Sequence, residues 1–471
     1  MYPSIKNQRS PIFFFMIGIL SISFCAQEKM YHLPDIEEYQ LKNGMRILIS
    51  PNYDNPTVYI SVYLNAGTLD DPLDQIGLAS RTFSKIKEGT IKYSKKGQVK
   101  EKLFSLGSDN GKFKSEYIED TYGYIENYFL KEDTRKGVEL FSEVLMNPSF
   151  PLFNLGIQRF AVRVLPKKSF TSTWSLANIH MKNQYANLME YLHPKYQLSY
   201  TKKDIKNWYN KYIRPENTTF MVVGDINYIY IQKLVEEYFG NWNSTVPMPK
   251  TREYPINISD SSRIQLRFVN IKNSKDAILR VITKGPSFND SWHTAGQLAM
   301  LAFGGDGFSS RLAKIHDKFN RYSYLNYDWQ EESRLPYSAI FGEVQYSDLY
   351  DLYNEIISEF NKLSNNSITK AELQQAKSIR KNYYNNKLHN PEEYSEIIQT
   401  YYNNNGYNLD SIADKWEEVD KVTLDGINDA AGKIYDPNNF MILVMGNQDS
   451  CATFLNRFDN VEYYKPGEEL R

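Results

Sequence analysis

The chain has 471 residues, 41% of them apolar, and its 55 Lys and Arg nearly cancel its 56 Asp and Glu. That length fills two or three cores, so at least two domains are expected, and no compositional bias is strong enough for a fibrous or disordered chain. The balanced charge sets up no long-range field to recruit nucleic acid or an anionic membrane.

Residues 1–26 read as a secretory signal peptide. Lys6 and Arg9 precede an apolar run from Ile12 to Ile22, and small residues follow around Cys25 and Ala26. The run is too short for a permanent membrane span; an uncleaved anchor is the alternative reading. Cys25 also allows lipidation, the one route to membrane attachment once the segment is cleaved, against which Phe24 stands as a bulky neighbour. Only Cys451 remains beyond this segment, so the exported chain forms no internal disulfide and depends on its cores. Abundant Asn, Lys, Ile and Tyr suggest an AT-rich bacterial genome, and hence the periplasm of a Gram-negative cell.

An N-terminal domain is expected over residues 33–245. Strands are predicted at 39–49 and 58–65, a helix at 75–87, and strand-like alternation near 113–128. Helices are predicted at 136–145, 155–165, 175–190 and 204–213. The helical stretch that opens at Gly77 reads G-L-A-S-R-T-F-S-K-I-K-E-G-T to Thr90. Serines in it lack a G-x-S-x-G elbow, and basic neighbours Arg81 and Lys85 share the helix, so a serine hydrolase is not indicated. A Pro-, Ser- and Thr-rich stretch supplies a linker over 246–262, and a C-terminal domain follows over 263–460.

The two domains repeat one plan. The segment from Pro215 to Asp225 (P-E-N-T-T-F-M-V-V-G-D) recurs from Pro437 to Asn447 (P-N-N-F-M-I-L-V-M-G-N), each after an amphipathic helix, with both Pro and Gly 222 positions apart. Thr57 to Gly67 matches Asp276 to Gly285, the glycines 218 apart. Strand groups and helix groups segregate within each half. The expected fold class is therefore α+β: two homologous halves, each a duplicated unit with a mostly antiparallel sheet covered by helices on one face. The Tyr- and Asn-rich stretches 382–386 and 401–405 are expected at solvated helix ends or loops. Histidines 32, 180, 193, 293, 316 and 389 are scattered, with no pair at helical ligand spacing. The glycines of 304–307 lack the lysine of a phosphate-binding loop and read as a tight turn.

Ordered motifs carry a resemblance across nearly the whole mature chain: L-K-N-G-M-R from Leu41, the Gly77 segment, N-P-S-F from Asn147, His193-Pro194, V-V-G-D from Val222 and G-G-D-G-F-S-S-R-L from Gly304. In this order they resemble the insulinase/pitrilysin family of zinc metallopeptidases. That family's G-L-A-H-x-x-E-H segment puts two imidazoles on one helical face with a glutamate that polarises the zinc-bound water. Here the corresponding positions are Ser80, Phe83 and Ser84. Hydroxyls are poor zinc ligands beside imidazole, and a benzyl ring moves no proton, so a non-catalytic member without a metal or other cofactor is expected. The helix implied for the third ligand, residues 158–168, contains no acidic residue. The resemblance also implies an Arg and Tyr seven apart that hold substrate and oxyanion. Asp317 replaces the Arg, with His316 and Lys318 adjoining, while Tyr324 persists as a candidate substrate-binding residue.

The resemblance implies a silent subunit that pairs with a zinc-bearing homologue to form a chamber for extended peptides. A scaffold of the same fold with no proteolytic partner is the alternative.

Overall fold

The computed structural model describes residues 33–72, 74–151, 173–186, 200–250, 258, 264–305, 310–319, 324–330, 335–405 and 408–466. The signal-peptide reading, the 155–165 helix, His193 and most of the linker lie outside them.

Two six-stranded sheets repeat one arrangement. The first contains β1 (Glu37–Gln40), β2 (Arg46–Pro51), β3 (Thr57–Leu64), β4 (Ser115–Ile118), β5 (Gly123–Leu130) and β6 (Thr218–Gly224), in the order β1-β2-β6-β3-β5-β4. The second contains β7 (Gln265–Asn270), β8 (Ala277–Lys284), β9 (Tyr324–Gln330), β10 (Tyr337–Val344), β11 (Met441–Gly446) and β12 (Val461–Tyr464), in the order β12-β7-β11-β8-β10-β9. Five strands correspond position by position. The sixth does not: β1 pairs antiparallel with β2, whereas β12 reaches β7 from the far end of the chain and runs parallel. Among the described residues the only other parallel pairs are β2 with β6 and β7 with β11, so both sheets are mostly antiparallel.

The run 39–49, expected as one strand, is a hairpin. Gly44 takes a left-handed φ of 92°, which a side chain would resist, and the Asn43 amide donates to the carbonyls of Phe239 and Trp242 at 2.8 and 2.9 Å. The turn is thereby tied to the end of a helix nearly two hundred residues later.

Alternation along the strands decides which face is buried where. Ile47, Ile49, Val58, Ile60, Val62 and Phe220 point into a core closed by helices Thr134–Met146, Lys202–Tyr212 and Tyr228–Phe239 of the same half. Lys202–Tyr212 shows the logic: Thr201 and Asp204 form a capping box, and Ile205, Trp208 and Tyr209 recur at helical spacing on the buried side. Leu48, Tyr59, Met221 and Val223 point the other way and join the core of the second half.

Each sheet therefore has both faces covered, which differs from the expected single helical face. Helix Pro391–Asn405 of the second half lies across the first sheet, and helix Thr173–Ala186 of the first half lies across the second. The two contacts differ in chemistry. On the first sheet, Tyr394 donates to Ser50 at 3.2 Å, Gln399 to Ser61 at 2.6 Å and Thr219 to Asn403 at 2.6 Å, while Tyr402 bonds Glu38 and Lys114 pairs with Glu392. On the second, Ala177, Met181 and Tyr185 pack against Ile278, Ile282, Met441 and Leu443. Residues 401–405, expected at a solvated helix end or loop, do form the end of helix Pro391–Asn405, but Tyr401 and Tyr402 are buried rather than solvated. Residues 382–386 sit in helix Lys370–Leu388. Among the described residues, no helix is long and apolar enough to cross a membrane.

Candidate functional site

Helix Leu78–Ile86 is positioned from its first turn. Gly77 caps it with a left-handed φ of 90°, and the buried Asp71 carboxylate accepts from the Gly77 and Ala79 amides at 2.6 and 2.7 Å. Tyr200 secures the approach by donating to the Ile76 carbonyl. Burial pushes the Asp71 carboxyl up to about 7, against the pull of those backbone donors.

The structure places the three predicted positions in three different environments. Ser80 is half-buried, Ser84 is exposed, and Phe83 is 3% exposed within the core. The Phe83 ring lies against Gly123 of β5, where an added Cβ would come within 2.9 Å of Cε2. Lys87 lays its ammonium over the same ring, 5.0 Å from the centroid, and pairs with Glu116 of β4 at 3.0 Å. Desolvation lowers the Lys87 pKa, opposed by Glu116. Lys85, buried on the same helix, pairs with Glu88 at 2.5 Å.

These residues do not fit zinc. A divalent ion needs three or four converging lone pairs, yet the helix offers two alcohols that face different surroundings, a phenyl ring and an ammonium. Among the described residues, no group of three His, Cys, Asp or Glu side chains could hold a metal ion. The segment 158–168 lies outside those residues.

Asp317 is exposed on helix Arg311–Lys318. The helix itself is anchored by Arg311, whose guanidinium bonds Glu372 at 2.8 and 3.0 Å and Glu359 at 3.3 Å. Lys318 pairs with Glu355 at 2.8 Å. Tyr324 opens edge strand β9, 51% exposed, its ring edge-on to Trp174 at 5.8 Å. Trp174 also tilts over Phe341 and, with it, sandwiches the fully buried Arg280 guanidinium. Tyr324 thus belongs to an aromatic cluster built from both halves.

Sequence reasoning missed a group of carboxylates between the halves. Glu119 and Glu126 of the first half share a cavity of about 250 Å³ with Glu392 and Glu396 of helix Pro391–Asn405. Tyr117 donates to Glu396 at 2.8 Å, and Tyr59 donates to Glu126. Burial raises the pKa of both Glu119 and Glu126. Tyr117 and Glu396 lie in distant parts of the chain, so no local pattern announces them.

Three kinds of comparison bear on this arrangement. The peptidase M16 inactive-domain family matches residues 199–380. The zinc protease PqqE of Helicobacter pylori is 22% identical over 412 residues, covering 82% of this chain and 87% of that protein. Among solved structures, a protease from Helicobacter pylori superposes with a TM-score of 0.76 at 17% identity, covering 88% of this chain and all of the other. The first half of the periplasmic protease PqqL from Escherichia coli gives 0.69 at 16% identity, with 90% of this chain and 94% of that half covered. Against the whole PqqL chain, the match covers 52% of that protein. Residues 199–380 thus match the peptidase M16 inactive-domain family, the chain has the fold of M16-like peptidases over most of its length, and Ser80, Phe83 and Ser84 stand where the zinc motif would be.

Proposed function

We propose that this M16 relative is a catalytically silent, periplasmic subunit that pairs with a zinc-bearing homologue to form a peptide-degrading chamber. The observation that carries the reading is Phe83. A core phenyl ring with an ammonium 5.0 Å above it stands where a peptidase needs a carboxylate and a dication. Among the described residues the surrounding fold keeps a capped helix and the edge strand β4 beside it.

The chain matches about half of PqqL, a periplasmic protease of Escherichia coli, and that likeness supports the periplasmic part of the reading. The outermost strands β4 and β9 could offer their outer backbone groups to an extended peptide, and the aromatic cluster around Tyr324 adjoins one of them. Asp317 carries the wrong sign for an oxyanion, so the contribution is confinement and orientation of the peptide rather than charge stabilisation.

The test is cleavage of a flexible fluorogenic peptide by a zinc-bearing M16 homologue from the same cell, with and without this chain. The pair is expected to copurify and to turn over peptide at least tenfold faster than the homologue alone, with no cleavage by this chain alone. No association and no stimulation would leave the scaffold reading in its place.

A further inference from the structure

A second cavity, about 500 Å³, lies between Tyr122 of the first half and the helices of the second. That volume suits a small-molecule or short-peptide ligand. Ser80, Phe83 and Ser84 take no part in its lining.

Its walls carry opposite charge by construction. Arg380, Tyr383 and Lys387 are spaced three and four residues apart, on one face of helix Lys370–Leu388. Glu393, Glu396 and Thr400 recur at the same spacing along helix Pro391–Asn405. The connection at His389 and Asn390 folds the second helix back on the first, so a basic stripe faces an acidic one. The stripes converge beside that turn, where Lys387 and Glu393 approach to 3.5 Å.

Farther in, the guanidinium is held in place. Arg380 Nε donates to Tyr384 at 3.0 Å, its carbon sits 4.8 Å from the Tyr384 ring, and Tyr384 stacks on Trp416 at 4.6 Å. Between the stripes the lining is apolar, with Phe288, Leu301, Trp329 and Ile397.

We infer that this cavity binds short peptides with free termini. The terminal carboxylate meets the Arg380 and Lys387 stripe, the terminal ammonium meets Glu393 and Glu396, and an apolar side chain fills the space beside Phe288 and Leu301. A purely cationic or anionic ligand would satisfy one wall and face repulsion from the other; an uncharged apolar ligand would leave both charged walls desolvated. The site needs neither a zinc-bearing partner nor a peptidase activity, so its failure and the failure of the proposed pairing are separate results.

The experiment is calorimetric titration of the pure full chain, with Trp fluorescence as a second readout, using the tripeptide leucyl-alanyl-phenylalanine. Its N-acetylated and C-amidated forms each remove one terminal charge. The free tripeptide is expected to bind at one site, and each cap is expected to weaken binding at least tenfold. Lys387→Gln is expected to narrow the preference for the free carboxylate, and Glu393→Gln the preference for the free amine, with an unchanged urea midpoint confirming that each variant is folded. Absence of saturable binding by the free tripeptide overturns the inference, as does equal affinity for the free peptide and its two capped forms.

Discussion

Phe83 is the residue on which the lost chemistry and the retained fold meet. Its ring fills the space under Gly123, so Phe83→Ala opens a cavity and is expected to cost about 3 kcal/mol, read from the urea midpoint. Restoring the family motif with Ser80→His, Phe83→Glu and Ser84→His is expected to fail in the opposite sense. It buries a carboxylate beside Gly123 without supplying a third ligand, and the purified variant should retain less than a tenth of an equivalent of zinc. Stoichiometric zinc by elemental analysis would contradict that expectation. Asp71 gives a pH signature. Its folded pKa, about 7, lies above the ordinary carboxylate value near 4. Ionising it therefore works against the fold: the stability it leaves in place is full below about pH 4 and falls as pH rises through about 7. Asp71→Asn should flatten that part of the profile of urea midpoint against pH. The missing ligands were legible at residue level because metal chemistry admits few side chains. The Asp71 cap was not, since its partners are backbone amides six and eight residues on, and a capping aspartate outside the helix leaves no periodic trace.

At the level of elements, the internal repeat carried the most information. Both repeat glycines end a central strand, yet they are needed for different reasons. Gly224 has φ of 140°, and a Cβ there would lie 2.2 Å from the Thr57 carbonyl. At Gly446 the nearest atoms are side chains, Tyr346 at 3.0 Å and Cys451 Sγ at 3.1 Å. Gly224→Ala is therefore expected to cost about 2 kcal/mol or more and to exceed Gly446→Ala in a thermal or urea comparison. Sequence periodicity located most strands of the first half, and its helices Leu78–Ile86, Thr134–Met146 and Lys202–Tyr212 within a few residues, because one face of each contacts its own core; helices Gln98–Ser105 and Tyr228–Phe239 went unread, and the expected 155–165 helix lies outside the described residues. It placed 401–405 at a helix end but misjudged the solvation of Tyr401 and Tyr402, for a physical reason. Amide and hydroxyl side chains such as Gln399, Tyr402 and Asn403 look solvated by composition, and here they satisfy a sheet face from the other half.

Across the whole molecule, the two exchanged helices make seams of unequal character. Thr173–Ala186 seals its sheet with apolar packing, whereas Pro391–Asn405 uses a run of hydrogen bonds over its sheet. Met181→Asp puts a charge into the first seam and is expected to cost about 3 kcal/mol or more. Gln399→Ala removes one buried hydrogen bond from the second and should cost about 1 kcal/mol. Equal losses by chemical denaturation would show the seams to be equivalent. Neither seam was visible in the sequence, which marks helices as amphipathic without saying whose sheet they will cover. The exchange also bears on how such a polypeptide could be split. Severing it between residues 250 and 264 would hand each fragment a rod whose berth is on its sibling, leaving one sheet surface of each bare. The pieces would be sticky orphans apart and would reassemble without a covalent tie when mixed.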